Sequence, residues 1–200
     1  MKRLIPLTVA ALLVATTGFA QTWQLDPAHS RAQFTARHMM MSNVRGDFSG
    51  IKGTVEYDGK DMTKAKINAV IDVNSMTTRV DKRDAHLKSE DFFDAANHPT
   101  MTFVSTSIAP KGAGKFSMTG DLTIRGITKR VTFDLERSEP YTDQKAGIVR
   151  LGAAASATVN RKDFGMKWNQ VLDNGGLVVA DDILIQLDIE MTRRIAPATN

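Results

Sequence analysis

The chain has 200 residues, no cysteine and a formal charge of +4, of which Lys2 and Arg3 supply two positive charges. Without cysteine it can form no disulfide, no thiolate metal site and no lipid attachment through an N-terminal cysteine. The remaining charge is mild and alternates with acids, which excludes a nucleic-acid surface and reads as solvated strand faces. One domain is expected at this length, and a chain of this size buries roughly 70% of its unfolded surface, enough for a core without disulfides.

Met1 to Ala20 reads as a secretory signal. Lys2 and Arg3 make the basic start, Leu4 to Ala15 the apolar stretch, and Gly18-Phe19-Ala20 the small-residue cleavage end. The apolar stretch is shorter than the ~20 residues of a membrane span. The expected organisation is a signal over 1–20, one β-rich domain over 21–193 and a C-terminal tail over 194–200, in an exported protein.

Trp23-Gln24-Leu25 starts a strand and Asp26-Pro27 turns it. From Ser30 to Met39 the chain alternates, with Ala32, Phe34, Ala36 and His38 on one face. Met39-Met40-Met41 breaks the alternation and is read as a buried corner, or else as an adaptable ligand lining. Val44, Gly46 and Phe48 share one parity, while Ile51, Gly53, Val55 and Tyr57 share the other. A bulge or sharp bend at Gly50-Ile51 is therefore expected. Ile67, Ala69, Ile71 and Val73 mark another strand.

Thr78 and Asp81 have capping-box spacing, which predicts a short helix over 79–90 that ends before Pro99. Phe92-Phe93 follows it. This lone helical insertion forms either a lid over one end of a sheet structure or plain core beneath a long connection. Strands are then expected over Met101 to Ile108, Phe116 to Ile124, Val131 to Leu135, Ile148 to Val159 and Ile183 to Met191. Turns fall at Pro110–Gly114, Arg125–Thr128 and Asp173–Gly176, and Asn160 to Trp168 reads as an irregular loop.

About eight alternating strands with short turns predict an antiparallel sandwich or barrel. A barrel of eight strands holds side chains or one small ligand. Small inward residues (Ala32, Ala36, Gly120, Ala153, Ala155, Ala157) leave room for a narrow apolar tunnel. A packed core without a cavity has the same periodicity.

Catalytic patterns are missing. His29, His38, His86 and His98 show no HxH or HExxH spacing, so no metal site is expected. Asp84, His86 and Ser89 lie too close along one helix for a relay, and no GxSxG elbow exists. Local hydrogen bonds pinning the helix are the simpler reading of Arg83, Asp84 and His86. Lys111 to Lys115 lacks P-loop spacing.

Five ordered blocks carry a resemblance across residues 22–192. Asp26-Pro27-Ala28-His29-Ser30 with Phe34, His38-Met39 and Val44-Arg45-Gly46-Asp47-Phe48 comes first. Arg83-Asp84-Ala85-His86-Leu87-Lys88-Ser89-Glu90-Asp91-Phe92-Phe93-Asp94 with Pro99 and Phe103 follows, then Gly120–Thr128, Asn160–Gly165 and the Ile183–Glu190 strand. Together they resemble the YceI family. The triple methionine is a local variation.

The resemblance implies an all-β protein with a short helical insertion, an extended antiparallel eight-stranded lipocalin-like barrel. It implies an exported, periplasmic, non-catalytic carrier whose apolar pocket takes a polyisoprenoid, such as a prenyl quinone or prenyl phosphate, with no other cofactor. Transient contact with the membrane or membrane quinone proteins, and a homodimer, are the further partners considered. A fatty-acid or fatty-amide binder and a stress-related interaction protein are the alternatives. The expected lining is Phe34, His38, Phe48, Phe92, Phe93, Phe103, Phe116, Leu122, Phe133, Phe164 and Trp168. His38 needs a polar partner on an apolar face, either a headgroup or a backbone carbonyl.

Overall fold

The computed structural model describes residues 21–171 and 177–195. The expected signal over 1–20, the turn at 173–176 and the tail beyond 195 lie outside the described residues. The strands in chain order are β1 (Gln21–Leu25), β2 (Arg31–His38), β3 (Ser42–Phe48), β4 (Ile51–Tyr57), β5 (Lys66–Asp72) and β6 (Met76–Thr77). After helix α1 (Asp81–Lys88) come β7 (Thr100–Gly112), β8 (Lys115–Ile124), β9 (Ile127–Arg137), β10 (Tyr141–Asp143), β11 (Ile148–Asn160) and β12 (Val179–Arg194).

All pairings are antiparallel, and the sheet closes. The order runs β11-β9-β8-β7-β5-β4-β1-β12, and β12 pairs back with β11, a ring of eight. The extra strands continue members of that ring. β1 and β2 form one interrupted strand along β12, β3 and β4 another, and β6 continues β5 beside β3. β12 is the seam. It pairs with β11 from Asn160↔Asp182 to Ile148↔Arg194 on one side, and with β2 and then β1 on the other.

Each interruption has a local cause. Between β1 and β2 the Asp26-Pro27 turn loops out and clips onto β12. The Asp26 N–H donates to the Glu190 carbonyl at 2.8 Å. The buried Ser30 hydroxyl donates to that carbonyl and accepts from the Glu190 N–H, at 3.2 and 3.1 Å. Between β3 and β4 the strand bends at Ser49-Gly50, where the apolar parity changes, as expected. The Gly50 N–H donates to Ser75 Oγ and its carbonyl accepts from the Asp72 N–H, both at 2.9 Å. A Cβ there would stand 2.8 Å from the Asp72 Cβ, so glycine alone fits.

The inner face follows the expected alternation. Ala32, Phe48, Ile51, Val55, Met118, Leu122, Phe133, Leu151, Ala155 and Met191 belong to one buried cluster. Gly120 does not open space as expected. Its missing Cβ seats the Phe103 ring, whose Cζ lies 2.4 Å from where that atom would be.

The helix is shorter than expected and the capping box does not form. Val80 takes the N-cap position with no side-chain cap. Arg79 has φ +63°, which turns the chain between Thr78 and the helix and leaves Thr78 too early to cap it. Asp84, one turn further on than Asp81, reaches back instead. Its carboxylate accepts from the Thr78 N–H at 2.8 Å and from the hydroxyls of Thr77 and Thr78. Arg83 donates to the Thr78 hydroxyl and carbonyl, at 2.7 and 3.0 Å. These bonds pin the helix to β6, the simpler of the readings open to Arg83 and Asp84.

Met39–Met41 is not a buried corner. The β2–β3 hairpin turns through Met39 and Met40 with φ +49° and +60°, closed by the Met41 N–H on the His38 carbonyl at 2.9 Å. Three residues connect the strands, since His38 pairs with Ser42; a turn whose two central residues both have positive φ favours Asn-Gly, and non-glycine residues held there cost on the order of 1–3 kcal/mol each. Met40 and Met41 are 65% and 74% exposed. Symmetry of strand period is what misled the expectation: methionines after an apolar face continue into core only if the strand continues, and here it reverses.

Candidate functional site

The barrel encloses a cavity of about 180 Å³. Its lining runs from Leu25, Val55 and Met191 at one end to Val159, Phe164 and Ile183 at the other. Along β12, from Ile183 to Met191, that is a stretch of roughly 26 Å at ~3.3 Å per residue, or about 20 Å along the axis of a barrel whose strands tilt by ~40°. Gln33 and Arg161 are the polar residues in the lining. Met62, Met101, Met118, Met166 and Met191 contribute unbranched side chains that reshape readily. An apolar cavity of about 150 Å³ stays dry and accepts a small apolar guest, so this one favours hydrocarbon over water.

The two ends differ. At the β1 end, Trp23 and Tyr57 are buried with ring centroids 6.2 Å apart. The Trp23 indole N–H donates to the Tyr57 carbonyl at 3.2 Å, and the Arg193 guanidinium lies 5.0 Å over the Trp23 ring. At the β2–β3 end, α1 and the loop after it cross the mouth. The Phe93 N–H on the Leu87 carbonyl and the Ala95 N–H on the Lys88 carbonyl fold that loop back on the helix. Phe93 packs on Phe48 and Phe34, at centroid distances of 5.5 and 6.3 Å. Phe92 packs on Trp168 and His86, at 5.3 and 5.1 Å. His86 in turn bonds to Asp91 at 2.8 Å. Of the two readings open for Phe92-Phe93, the structure has the rings covering a mouth while filling core.

Eight of the eleven expected lining residues border the cavity: Phe34, Phe48, Phe92, Phe93, Phe103, Leu122, Phe133 and Phe164. The other three stand elsewhere. His38 has the expected strand parity but is the last residue of β2, beyond the cavity, in a polar groove with Ser42, Asn43, Arg45, Arg79 and Arg83. Phe116, second residue of β8, packs against the core from outside the cavity. Trp168 sits behind Phe92, with its ring 4.9 Å from that of His86.

Sequence reasoning missed Arg161. It is 2% exposed. Its Nε donates to the Ala180 carbonyl at 3.1 Å, Nη1 to the carbonyls of Met166 and Trp168 at 2.7 and 2.8 Å, and Nη2 to Asp181 at 3.0 Å. One guanidinium therefore ties the 166–168 loop to the start of β12 at the rim of the lidded mouth. Lys162 bonds to Asp181 as well, and with Arg161 it holds that carboxyl below the usual carboxylate range. No period marks such a residue, because its partners are carbonyls of an irregular loop and of a strand start, which no strand or helix spacing places.

Asp26, His29 and Glu190 also bring ligand-type atoms within 4.8 Å of one another. Their charges are already countered. Arg150 Nη1 bonds to Glu190 and stands 3.8 Å from Asp26, while His29 Nδ1 lies 2.9 Å from Asp26. The hydrogen bond from His29 lowers the Asp26 pKa, and the same bond raises that of His29. The imidazolium's contribution is thus complete below the ordinary histidine range and is lost as pH rises through the raised value. The carboxylate's is present above the ordinary carboxylate range and is lost as pH falls through the lowered value. The pair is strongest between these limits. A proton-NMR titration is expected to place His29 above the ordinary histidine range, and Asp26→Asn should return it there. A wild-type value at or below that range would refute the pairing.

A closed eight-stranded antiparallel barrel with a long apolar cavity and one covered mouth defines a lipocalin-like barrel. The chain belongs to the YceI family: the model of the YceI-like domain matches residues 23–191. A UPF0312 protein of Staphylococcus aureus strain MSSA476 is 35% identical over 167 residues, covering 84% of this chain and 95% of that protein. BcnA of Burkholderia cenocepacia superposes with a TM-score of 0.71 at 25% identity, over 83% of this chain and 98% of its own. A polyisoprenoid binding domain from Saccharophagus degradans shares the fold, with a TM-score of 0.61 at 14% identity over 86% and 98% of the two chains.

Proposed function

We propose that this protein is an exported, periplasmic carrier that holds a polyisoprenoid chain, of the prenyl quinone or prenyl phosphate type, inside its barrel and performs no chemistry on it. The observation that carries this reading is the continuous apolar lining, about 20 Å long, closed by Trp23 and Tyr57 at one end and covered by side chains at the other. The likeness to a polyisoprenoid binding domain supports the same ligand class. The basic, apolar and small-residue order of residues 1–20 supports export.

Energetics favour long chains. Each buried methylene contributes about 0.8 kcal/mol, so twenty contribute roughly 16 kcal/mol. Association costs about 4–15 kcal/mol. A short chain does not exceed that cost, whereas a long one does. With so few polar groups in the lining, selection falls to tunnel length and to groups at the mouth.

Native mass spectrometry of protein purified from its own exported compartment, followed by lipid extraction, tests this directly. A stoichiometric adduct that extracts as a prenyl lipid is the expected result. A fatty acid or fatty amide would replace the ligand class. An empty protein that takes up no added prenyl lipid would overturn the reading in favour of an interaction protein.

A further inference from the structure

The hairpin at the lidded mouth breaks two rules together. It places two methionines in a turn that favours Asn-Gly, and it exposes the side chains of Met40 and Met41. Strained backbone conformations cluster at functional positions, and contiguous exposed apolar side chains mark contact surfaces. They do not stand alone. The Met39 N–H donates to the Val178 carbonyl at 2.9 Å, beside the Val171–Leu177 bridge, and Val171 is 74% exposed. On the other flank the polar groove joins the hairpin stem to Thr78, Arg79 and Arg83, next to Val80, which is 47% exposed.

The charge around this rim is positive. Arg37, Arg45, Arg79, Lys82 and Lys167 are exposed there, and none makes an ion pair among the described residues. Exposed Asp81, Asp163 and Asp182 and half-buried Asp47 are the facing acids among the described residues, while Asp84 is engaged by Thr77 and Thr78 and Asp181 by Arg161 and Lys162. Apolar tips ringed by unpaired cations fit the interface of an anionic bilayer, where methionine and valine enter the headgroup boundary and arginine meets phosphate. A second copy meeting this rim with its own would set these cations against one another.

We propose that this rim docks on an anionic lipid bilayer and turns the lidded mouth toward the membrane, so that ligand passes between barrel and bilayer without crossing water. The proposal rests on the carrier reading for its purpose, but its geometry is tested separately. The full chain after export is mixed with vesicles of phosphatidylethanolamine and phosphatidylglycerol and floated on a density gradient. The wild type is expected to float, with at least tenfold weaker binding to phosphatidylcholine vesicles and with loss of binding at high salt. Met40→Ser/Met41→Ser should bind at least tenfold more weakly while melting unchanged. Met41→Trp should float as the wild type does, with bluer indole emission on vesicles.

A wild type that stays unbound overturns the docking, and if its native mass still shows lipid, the carrier reading survives that result. Equal flotation of the serine variant overturns it too. So does a dimer, seen by sedimentation, that the serine variant abolishes, since the rim would then belong to a second copy. Flotation by lipid-free protein that the serine variant loses supports the docking while counting against the carrier.

Discussion

Arg161→Met is expected to lower the unfolding free energy by about 3–5 kcal/mol, the usual cost of removing one partner from a buried charged network. For a chain of this length that is a fall in melting temperature of roughly 6–20 °C. The reason lies in what Arg161 leaves behind. The carbonyls of Met166, Trp168 and Ala180 lose their donor, and each unsatisfied buried group costs about 1–3 kcal/mol. Asp181 loses less, because it is partly exposed and retains Lys162. Asp181→Asn should therefore cost only about 1 kcal/mol. Urea unfolding of both variants, with hydrogen exchange followed over residues 166–168, separates the two contributions. The Met variant should exchange faster in that loop. If Asp181→Asn proved as damaging as Arg161→Met, the ion pair and not the carbonyl cradle would be holding the rim.

Filling the tunnel should abolish ligand binding with little loss of stability. Ala69 on β5 and Ala153 on β11 both border the cavity and stand four strands apart in the ring, on opposite walls. Ala69→Phe or Ala153→Phe places a ring in a space of about 180 Å³. Overpacking a filled core costs about 1–3 kcal/mol, and existing space brings the expectation to the low end. Lipid adduct measured by native mass spectrometry should fall at least tenfold in each variant, with the melting temperature moving by only a few degrees. Normal adduct in both variants would place the ligand outside the barrel.

What could be read in advance was whatever repeats along the strand. Ala32, Phe34 and Ala36 declare the inner face of β2 because their spacing matches the pleat. The parity change at Gly50-Ile51 announces a bend because a strand cannot move its apolar side without one. Phe92-Phe93 stands out because two rings beside a charged segment need a cover. What could not be read depends on positions distant in the chain or on local conformations that violate preference. Arg161 looks like one cation in a basic loop until three carbonyls surround it. Thr78 has the right spacing to cap a helix, yet Arg79 in a left-handed conformation moves it out of place. Met39 and Met40 occupy a turn that their residue type disfavours. His38 has the right parity and fails only because the strand ends with it.

The seam formed by β12 bears on how the vessel is made. Ser30 and Glu190 are 160 positions apart, yet the hydroxyl of one closes the backbone of the other. No part of the ring shuts until the final strand lies between β11 and the opening strands. Contacts of such separation form slowly, since the loop entropy must be overcome before the pairing rewards it. Until that strand is in place, the apolar side of whatever sheet has formed stays uncovered. A long hydrocarbon present then would be wrapped as the last strand zips into place, so loading during folding is a route to a filled barrel that bypasses the mouth altogether.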